Sequence, residues 1–474
     1  MPRLSRLLVL ACAACLALPA AAGAASQMYV GFQDDQSFRW AEDRATLLDQ
    51  AAIAGTTIIR VTIDWSEAAP SRPANAANPF DPVYQLADVD EFVRNAQERG
   101  IEVIVTLWGV PSWANGGAGK NRMPRRVQDL RNFAKAVAAR YSGRFSGYPF
   151  VGFYSVWNEP NLEQFLAPQF DQRGRSVAPA LYAKLYRAAY AGVKAGNKKA
   201  LVAVGETSPR GRDKPSPGVV QNSHSPGRFA ELLSKTRPRI KFDAWAQHPY
   251  PTGLRARPTQ RVRWPNVTLS QMSRFEQALD KWFGRENIPI WFTEYGHQTR
   301  PERSDGLSYA KQAAFAQQAL KIARSDPRVK VFVWFILRDS VVENKAWEGA
   351  GGLISRDGGF KPGLGRFAVI ARQVDVRNAQ FSFRAGTFSP RLEVPVLELK
   401  AHNDTGATIR VNYSLIDNGR LVGNVLATAP IATDGRVTFR PDFVVRRGHR
   451  YVIDAVLTDD HGNSVVRKLD ILGF

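Results

Sequence analysis

The chain has 474 residues, a formal net charge of +21, 44% hydrophobic residues and 23% charged residues. That is ordinary globular usage on a length that suggests two or three domains and a large core, which excludes a disordered, collagen-like or acidic-tail protein. Both cysteines, Cys12 and Cys15, fall in the first 25 residues, which excludes a disulfide scaffold and a structural thiolate zinc site.

The N-terminus places Arg3 and Arg6 before an apolar run from Leu7 to about Ala22, and closes on small residues up to Ser26. This is the layout of a secretory signal peptide over residues 1–25, so a secreted or envelope-associated location is expected. The run is short for a membrane span and carries Pro19, so no stable membrane insertion is expected. Leu10-Ala11-Cys12 is a poor lipoprotein cleavage site, because too little apolar sequence precedes the cysteine. The positive charge is scattered in short clusters such as Arg125-Arg126, Lys198-Lys199 and Arg446-Arg447. It reads as a solvated arginine-rich surface, open to an anionic glycan or cell-wall polymer, with no nucleic-acid motif.

From Met28 to about Gln373, short apolar runs alternate with amphipathic helical patterns. In chain order, Met28–Phe32 leads to a helix over Arg44–Ala54, Ile58–Trp65 to Val89–Arg99, Val103–Trp108 to Leu130–Tyr141, and Val151–Trp157 to Ala180–Ala195. Then Leu201–Gly205 leads to Gly227–Lys235, Phe242–Tyr250 to Leu269–Phe283, Ile288–Tyr295 to Tyr309–Arg324, and Val329–Leu337 to Leu364–Gln373. Leu181, Tyr182, Leu185, Tyr186 and Ala189 show the three-and-four spacing of one helix face. Runs apolar throughout are strands buried on both faces, and alternation with helices implies parallel pairing. Eight such units predict an α/β fold, a (β/α)8 TIM barrel over residues 26–374. The alternative, an open doubly wound sheet, would usually carry a Gly-rich phosphate turn after the first strand, and Met28–Asp35 has none.

After about Asp375 helical periodicity stops. Alternating strands follow at Val396–Ala401, Thr408–Ile416, Leu421–Thr428, Arg436–Phe439, Tyr451–Thr458 and Ser464–Leu472, separated by turns such as Asp417-Asn418-Gly419. Residues 375–474 therefore read as a small all-β, Ig-like sandwich, ancillary to the barrel, with a hairpin joining 408–416 to 421–428.

Functional residues of such a barrel sit where strands end. The second strand carries Arg60 and ends in Asp64-Trp65; the third is followed by Trp108-Gly109-Val110-Pro111-Ser112-Trp113. The fourth ends in Trp157-Asn158-Glu159-Pro160-Asn161, the sixth in Gln247-His248-Pro249-Tyr250, and the seventh in Thr293-Glu294-Tyr295-Gly296. The eighth carries Trp334 and ends in Arg338-Asp339. Glu159 and Glu294 are therefore expected to face one cleft from opposite walls. Two facing carboxylates suit glycosidic bond cleavage, in which one donates a proton and the other attacks or stabilises an oxocarbenium-like centre.

The Trp157–Asn161 and Thr293–Gly296 motifs, at strands four and seven, resemble the retaining glycoside hydrolases of clan A. The resemblance covers the barrel and implies a secreted retaining β-glycosidase acting on a poly- or oligosaccharide without a cofactor. It implies Glu159 as acid/base and Glu294 as nucleophile. It further implies Asn158 on the substrate 2-hydroxyl, Arg60 orienting the nucleophile and favouring its ionised form, and Tyr250, with His248, hydrogen-bonding near the nucleophile. Trp334 would floor the subsite of the attacked ring. The cellulase family usually ends strand three in histidine; here Leu107–Trp113 stands there, and with Trp157–Asn161 it is similar to the β-xylosidase and α-iduronidase family. Trp65, Trp108, Trp113, Phe165, Trp264 and Trp347 are candidates to stack on sugar faces or to anchor loops. Asp339 is a candidate for sugar hydroxyls, and Glu163, Glu343 and Glu348 read as solvated loop carboxylates.

Other chemistries leave little trace. Gly116–Asn121 lacks the first glycine and the Ser/Thr of a phosphate loop, the six histidines are dispersed, and no Gly-x-Ser-x-Gly elbow occurs. The remaining alternative is a catalytically inactive carbohydrate-binding or cell-wall-binding protein of barrel ancestry, which would be expected to have lost one of the two glutamates.

Overall fold

The structure is a computed structural model that describes residues 27–216, 221–340 and 349–376, and, beyond them, 387–389, 392–393, 397–400, 408–430, 436–439, 445–446, 448–458 and 464–472. The expected signal peptide, residues 1–25, lies outside the described residues.

Eight parallel strands close into a barrel. They are β1 (Tyr29–Gln33), β2 (Ile58–Asp64), β3 (Glu102–Trp108), β4 (Phe153–Val156), β5 (Leu201–Thr207), β6 (Ala244–Gln247), β7 (Ile290–Tyr295) and β8 (Val329–Phe335). Pairing of β8 with β1 closes the cylinder. Each strand lies at an expected apolar run, to within a few residues, and helices follow between the strands as the periodicity predicts. The pattern over 269–283 divides: Leu269–Gln271 is a 3-10 turn that runs into an α-helix over Met272–Phe283.

Alternation along the strands separates two cores. Ile58, Ile104, Phe153, Ala203, Ala244, Ala246, Trp291, Val331 and Val333 fill the barrel interior. Their neighbours, such as Ile59, Val61, Val103 and Val105, pack in the larger core beneath the helices. Two residues above the interior layer the same inward rows turn polar. Arg60 follows Ile58, Thr106 follows Ile104, Ser155 follows Phe153 and His248 follows Ala246. The barrel is thus plugged by apolar side chains low down and lined with polar ones at its mouth.

After the barrel, four antiparallel strands run in the order Arg420–Pro430, Thr408–Asp417, Arg450–Thr458, Ser464–Leu472. The expected hairpin is present, and its turn residues Asn418 and Gly419 both have positive φ, 48° and 81°, as a two-residue I′ turn requires. Leu397–Lys400 pairs with Arg436–Phe439. Three short strands, Thr387–Ser389, Leu392–Glu393 and Val445–Arg446, have no counterpart in the sequence reading. Among the described residues no helix is long and apolar enough to cross a membrane.

Barrel closure leaves no room at Gly31 of β1: a Cβ there would sit 1.6 Å from the Ile58 carbonyl oxygen on β2. That oxygen belongs to the backbone and cannot swing aside. Gly31→Ala should cost about 3 kcal/mol of stability, read as a lower midpoint in thermal or denaturant unfolding. A wild-type midpoint would show that β1 and β2 are spaced more widely than described.

Candidate active site

Arg60, the third residue of β2, is fully buried and its side chain is used completely. A guanidinium has five N–H groups. Here Nε donates to Thr106 Oγ1 at 2.8 Å, Nη1 to Glu294 Oε1 at 2.8 Å and to Gln33 Oε1, and Nη2 to Glu206 Oε2 at 2.7 Å and Asn158 Oδ1 at 3.0 Å. Burial works against its charge, but Glu206 and Glu294 more than compensate and raise its pKa above the ordinary value. Thr106 in turn shares a 2.7 Å hydrogen bond with Ser155.

The turn after β4 sets Asn158 and Glu159. Trp157 and Glu159 both have positive φ, 74° and 35°, which side chains bearing a Cβ adopt at a cost of about 1 kcal/mol or more. The rest of the motif holds them there. Trp157 is buried and its Nε1 donates to Phe165 O at 2.7 Å. Buried Asn161 donates to His224 O at 2.8 Å and accepts from Ser208 N at 2.9 Å.

Glu159 and Glu294 converge on one imidazole. His248 Nδ1 lies 3.0 Å from Glu159 Oε1 and 3.5 Å from Glu294 Oε2, so these two oxygens are within about 6.5 Å of each other, the sum of those distances. Pairs about 5–5.5 Å apart serve retention, and pairs at 6.5–9.5 Å leave space for an inverting water. Tyr250 OH donates to Glu294 Oε2 at 3.2 Å, and its ring stacks on Tyr295. Burial and the neighbouring Glu294 hold the Tyr250 phenol well above its ordinary pKa, so it remains a donor. Both glutamate side chains keep some exposure, 15% and 13%, while His248 has none. Arg60, Asn158, Glu159, His248, Tyr250 and Glu294 are therefore in one constellation.

Trp334 is not part of it. It is fully buried and its Nε1 donates to Gly351 O at 2.9 Å, so neither ring face is open to a sugar. The reason is strand parity: Val331 and Val333 point into the barrel, and the next inward residue is Phe335. Half-buried Phe335 lines a cavity of about 920 Å³ together with Trp108, Gln33 and Trp40. Glu159 and Glu294 are not among its walls; Gln33, which meets Arg60, links the cavity to the constellation.

The cavity is acidic in a basic chain. Seven carboxylates line it against three cations, Arg39, Arg140 and Arg338, and Arg39 is 9% exposed against 38% for its partner Asp88. The other aromatic candidates divide. Trp65 is core, stacked on Phe133. Trp113 is tied to Ala69 O through Nε1 and covered by Arg72. Phe165 packs edge-on against Trp108, and Trp264 stacks on Trp282. Asp339 is buried with Lys361 Nζ at 2.5 Å. Glu163, in the loop after β4, accepts from Asn222 N and Nδ2 in the loop after β5 at 2.9 and 3.0 Å. Trp347, Glu343 and Glu348 lie outside the described residues.

Sequence reasoning missed Glu206 and Gln33. Glu206 stands one residue beyond the expected end of the fifth strand, and a carboxylate at a strand end was the available signal. Among the described residues no group of His, Cys, Asp or Glu is placed to hold a metal ion.

The family model for cellulase (glycosyl hydrolase family 5) matches residues 24–336. Three solved structures share the fold, each with a TM-score of 0.53. A family 39 glycoside hydrolase from the gut symbiont Bacteroides cellulosilyticus WH2 is 17% identical over 89% of this chain and 81% of its own. A glucosidase from Croceicoccus marinus is 14% identical over 89% and 94%. GH5_18 from Streptomyces cattleya, in complex with GlcNAc, is 17% identical over 74% and 81%. No curated protein matches the sequence.

His248 offers a stability test. Burial alone would lower its pKa, but Glu294 and Glu159 together raise it above the ordinary value. The contribution of the charged imidazole is then complete below the unfolded pKa of about 6.5 and is lost as pH rises through the higher folded value. The melting temperature of wild type should exceed that of His248→Asn most near pH 6, and the gap should narrow by pH 9. A gap that widens with pH would contradict this contact.

Proposed function

The chain belongs to the cellulase family, glycosyl hydrolase family 5, and we propose that it is a retaining β-glycosidase that cleaves a poly- or oligosaccharide by double displacement. The observation that carries this reading is the single imidazole nitrogen between Glu159 and Glu294, which keeps their facing oxygens at or below the lower limit of inverting pairs. A non-catalytic carbohydrate-binding barrel would leave the intact pair unexplained.

In the first step an oxygen of Glu294 attacks the anomeric carbon. The bond to the leaving oxygen breaks, and that oxygen takes the proton of Glu159. A glycosyl ester forms on Glu294. In the second step Glu159, now anionic, takes a proton from water, the water oxygen bonds to the anomeric carbon, and the ester electrons return to Glu294. Arg60 and Tyr250 each hold one oxygen of Glu294, which fixes the line of attack. Asn158 gives its carbonyl to Arg60, which leaves its amide N–H groups to donate to the sugar 2-hydroxyl. Phe335 takes the place given to Trp334 as the floor of the reacting subsite, with Trp108 as a second wall. No cofactor enters these steps.

Carboxylates outnumber cations in the cavity wall, seven to three, which disfavours an acidic sugar and supports a neutral glycan as substrate. The anionic glycan or wall polymer suggested by the net charge would meet the outer surface. In this reading residues 1–25 direct secretion, 26–374 form the catalytic domain, and 375–474 form an Ig-like ancillary sandwich.

A panel of 2,4-dinitrophenyl β-glycosides beside neutral polysaccharides tests the activity. Glu294→Gln should lose more than about 10⁴-fold in turnover with its fold intact. Glu159→Ala should lose about 10²- to 10⁴-fold on glycans but keep the first step on dinitrophenyl glycosides, with azide then yielding a β-glycosyl azide. Metal chelators should change nothing. Full activity in either variant would remove these assignments.

A further inference from the structure

Glu206 is the one carboxylate on Arg60 that the two-step scheme leaves without a role. It is fully buried, so it reaches no substrate, and Oε2 lies 2.7 Å from Arg60 Nη2. Its other oxygen, Oε1, is buried with no hydrogen-bond partner among the described residues. Its backbone is in the left-handed region, φ 47°, at an irregularity between β5 and β6. A buried carboxylate half unsatisfied, on a strained residue, is costly to keep for packing alone.

We propose that Glu206 is a positioning and charge-balancing residue that acts through Arg60 and makes the covalent intermediate tolerable. The inference rests on the double-displacement reading. Before reaction, Arg60 is shared by two anions, Glu206 and Glu294. When Glu294 bonds to the anomeric carbon its carboxylate becomes a neutral ester, and the electron pair of the broken bond leaves with the departing oxygen, which Glu159 protonates. Arg60 keeps one anion, Glu206, and remains a paired buried ion. Without Glu206 the same step would strand a guanidinium that is fully buried, the kind of uncompensated charge a protein interior disfavours most. Glu206 therefore favours formation of the ester relative to its breakdown, and it holds the guanidinium still while Glu294 leaves its fork and returns. The second anion also offsets part of the pull of Arg60 on the electrons of Glu294, which keeps Glu294 a better nucleophile.

Removing that charge should change one half-reaction in a direction a packing defect would not. The test uses the full chain with the 2,4-dinitrophenyl β-glycoside that the panel selects, read by pre-steady-state release of dinitrophenolate and by intact mass with the matching 2-deoxy-2-fluoro glycoside. Wild type should show a burst and a trapped ester on Glu294. Glu206→Gln should fall about 100-fold in kcat/KM, lose the burst, trap poorly, raise KM because the ester no longer accumulates, and move the acid limb of its kcat/KM profile to lower pH. Glu206→Asp, which keeps the charge, should retain the burst and the acid limb while turning over more slowly. A Glu206→Gln enzyme with wild-type burst, KM and acid limb would overturn the inference while leaving double displacement in place. Failure to trap any ester on wild type, with turnover present, would overturn both. If Glu206→Gln does not give a cooperative melt, Glu206→Asp decides: burst retained supports the charge role, and burst lost despite the retained charge overturns it.

Discussion

A guanidinium buried inside a closed barrel constrains everything around it. Arg60 sits above an apolar plug, where a cation survives only if every N–H is bonded and its charge is met. Its five acceptors come from β1, β3, β5, β7 and the turn after β4. The strands must therefore close at a register that brings those acceptors to one point. One of the two carboxylates that neutralise it, Glu294, is also the group assigned to attack the sugar. The interaction that makes the barrel mouth self-consistent is thus the interaction that orients Glu294, the proposed nucleophile, so folding itself sets its position.

Much of this was legible in the sequence. Apolar runs such as Val103–Trp108 gave the strands, helical periodicity such as that in Ala180–Ala195 gave the layer outside them, and the strands and their ends pointed to Arg60, Asn158, Glu159, His248, Tyr250 and Glu294. What escaped was parity. The one parity mark in β8 is Lys330, exposed and on the same side as Trp334; read that way it turns Trp334 outward and Phe335 inward, as the interior layer of Val331 and Val333 shows. Irregularities hid the rest. Trp291 points into the barrel, so regular alternation would turn residue 294 outward, but a register shift between Phe292 and Tyr295 re-aims Glu294 at Arg60. A shift between Gly205 and Thr207 does the same for Glu206. Motif resemblance supplied Glu294 despite the irregularity. Glu206 had no motif to supply it.

Charge is distributed against the average of the chain. A chain of net charge +21 lines the cavity beside Phe335 with seven carboxylates and three arginines. Total charge consequently describes the outer surface and says little about the mouth, whose acceptors suit the neutral glycan proposed as substrate. Phe335 and Trp108 add ring faces to those acceptors in one lining.

The central claim is that Glu159 and Glu294, whose facing oxygens lie within about 6.5 Å of each other, work through a covalent intermediate. Proton NMR of the first product formed from a β-glycoside, recorded before mutarotation, tests this directly. The account predicts that the β-anomer appears first and the α-anomer grows in later. An initial α-anomer would mean inversion and would contradict it.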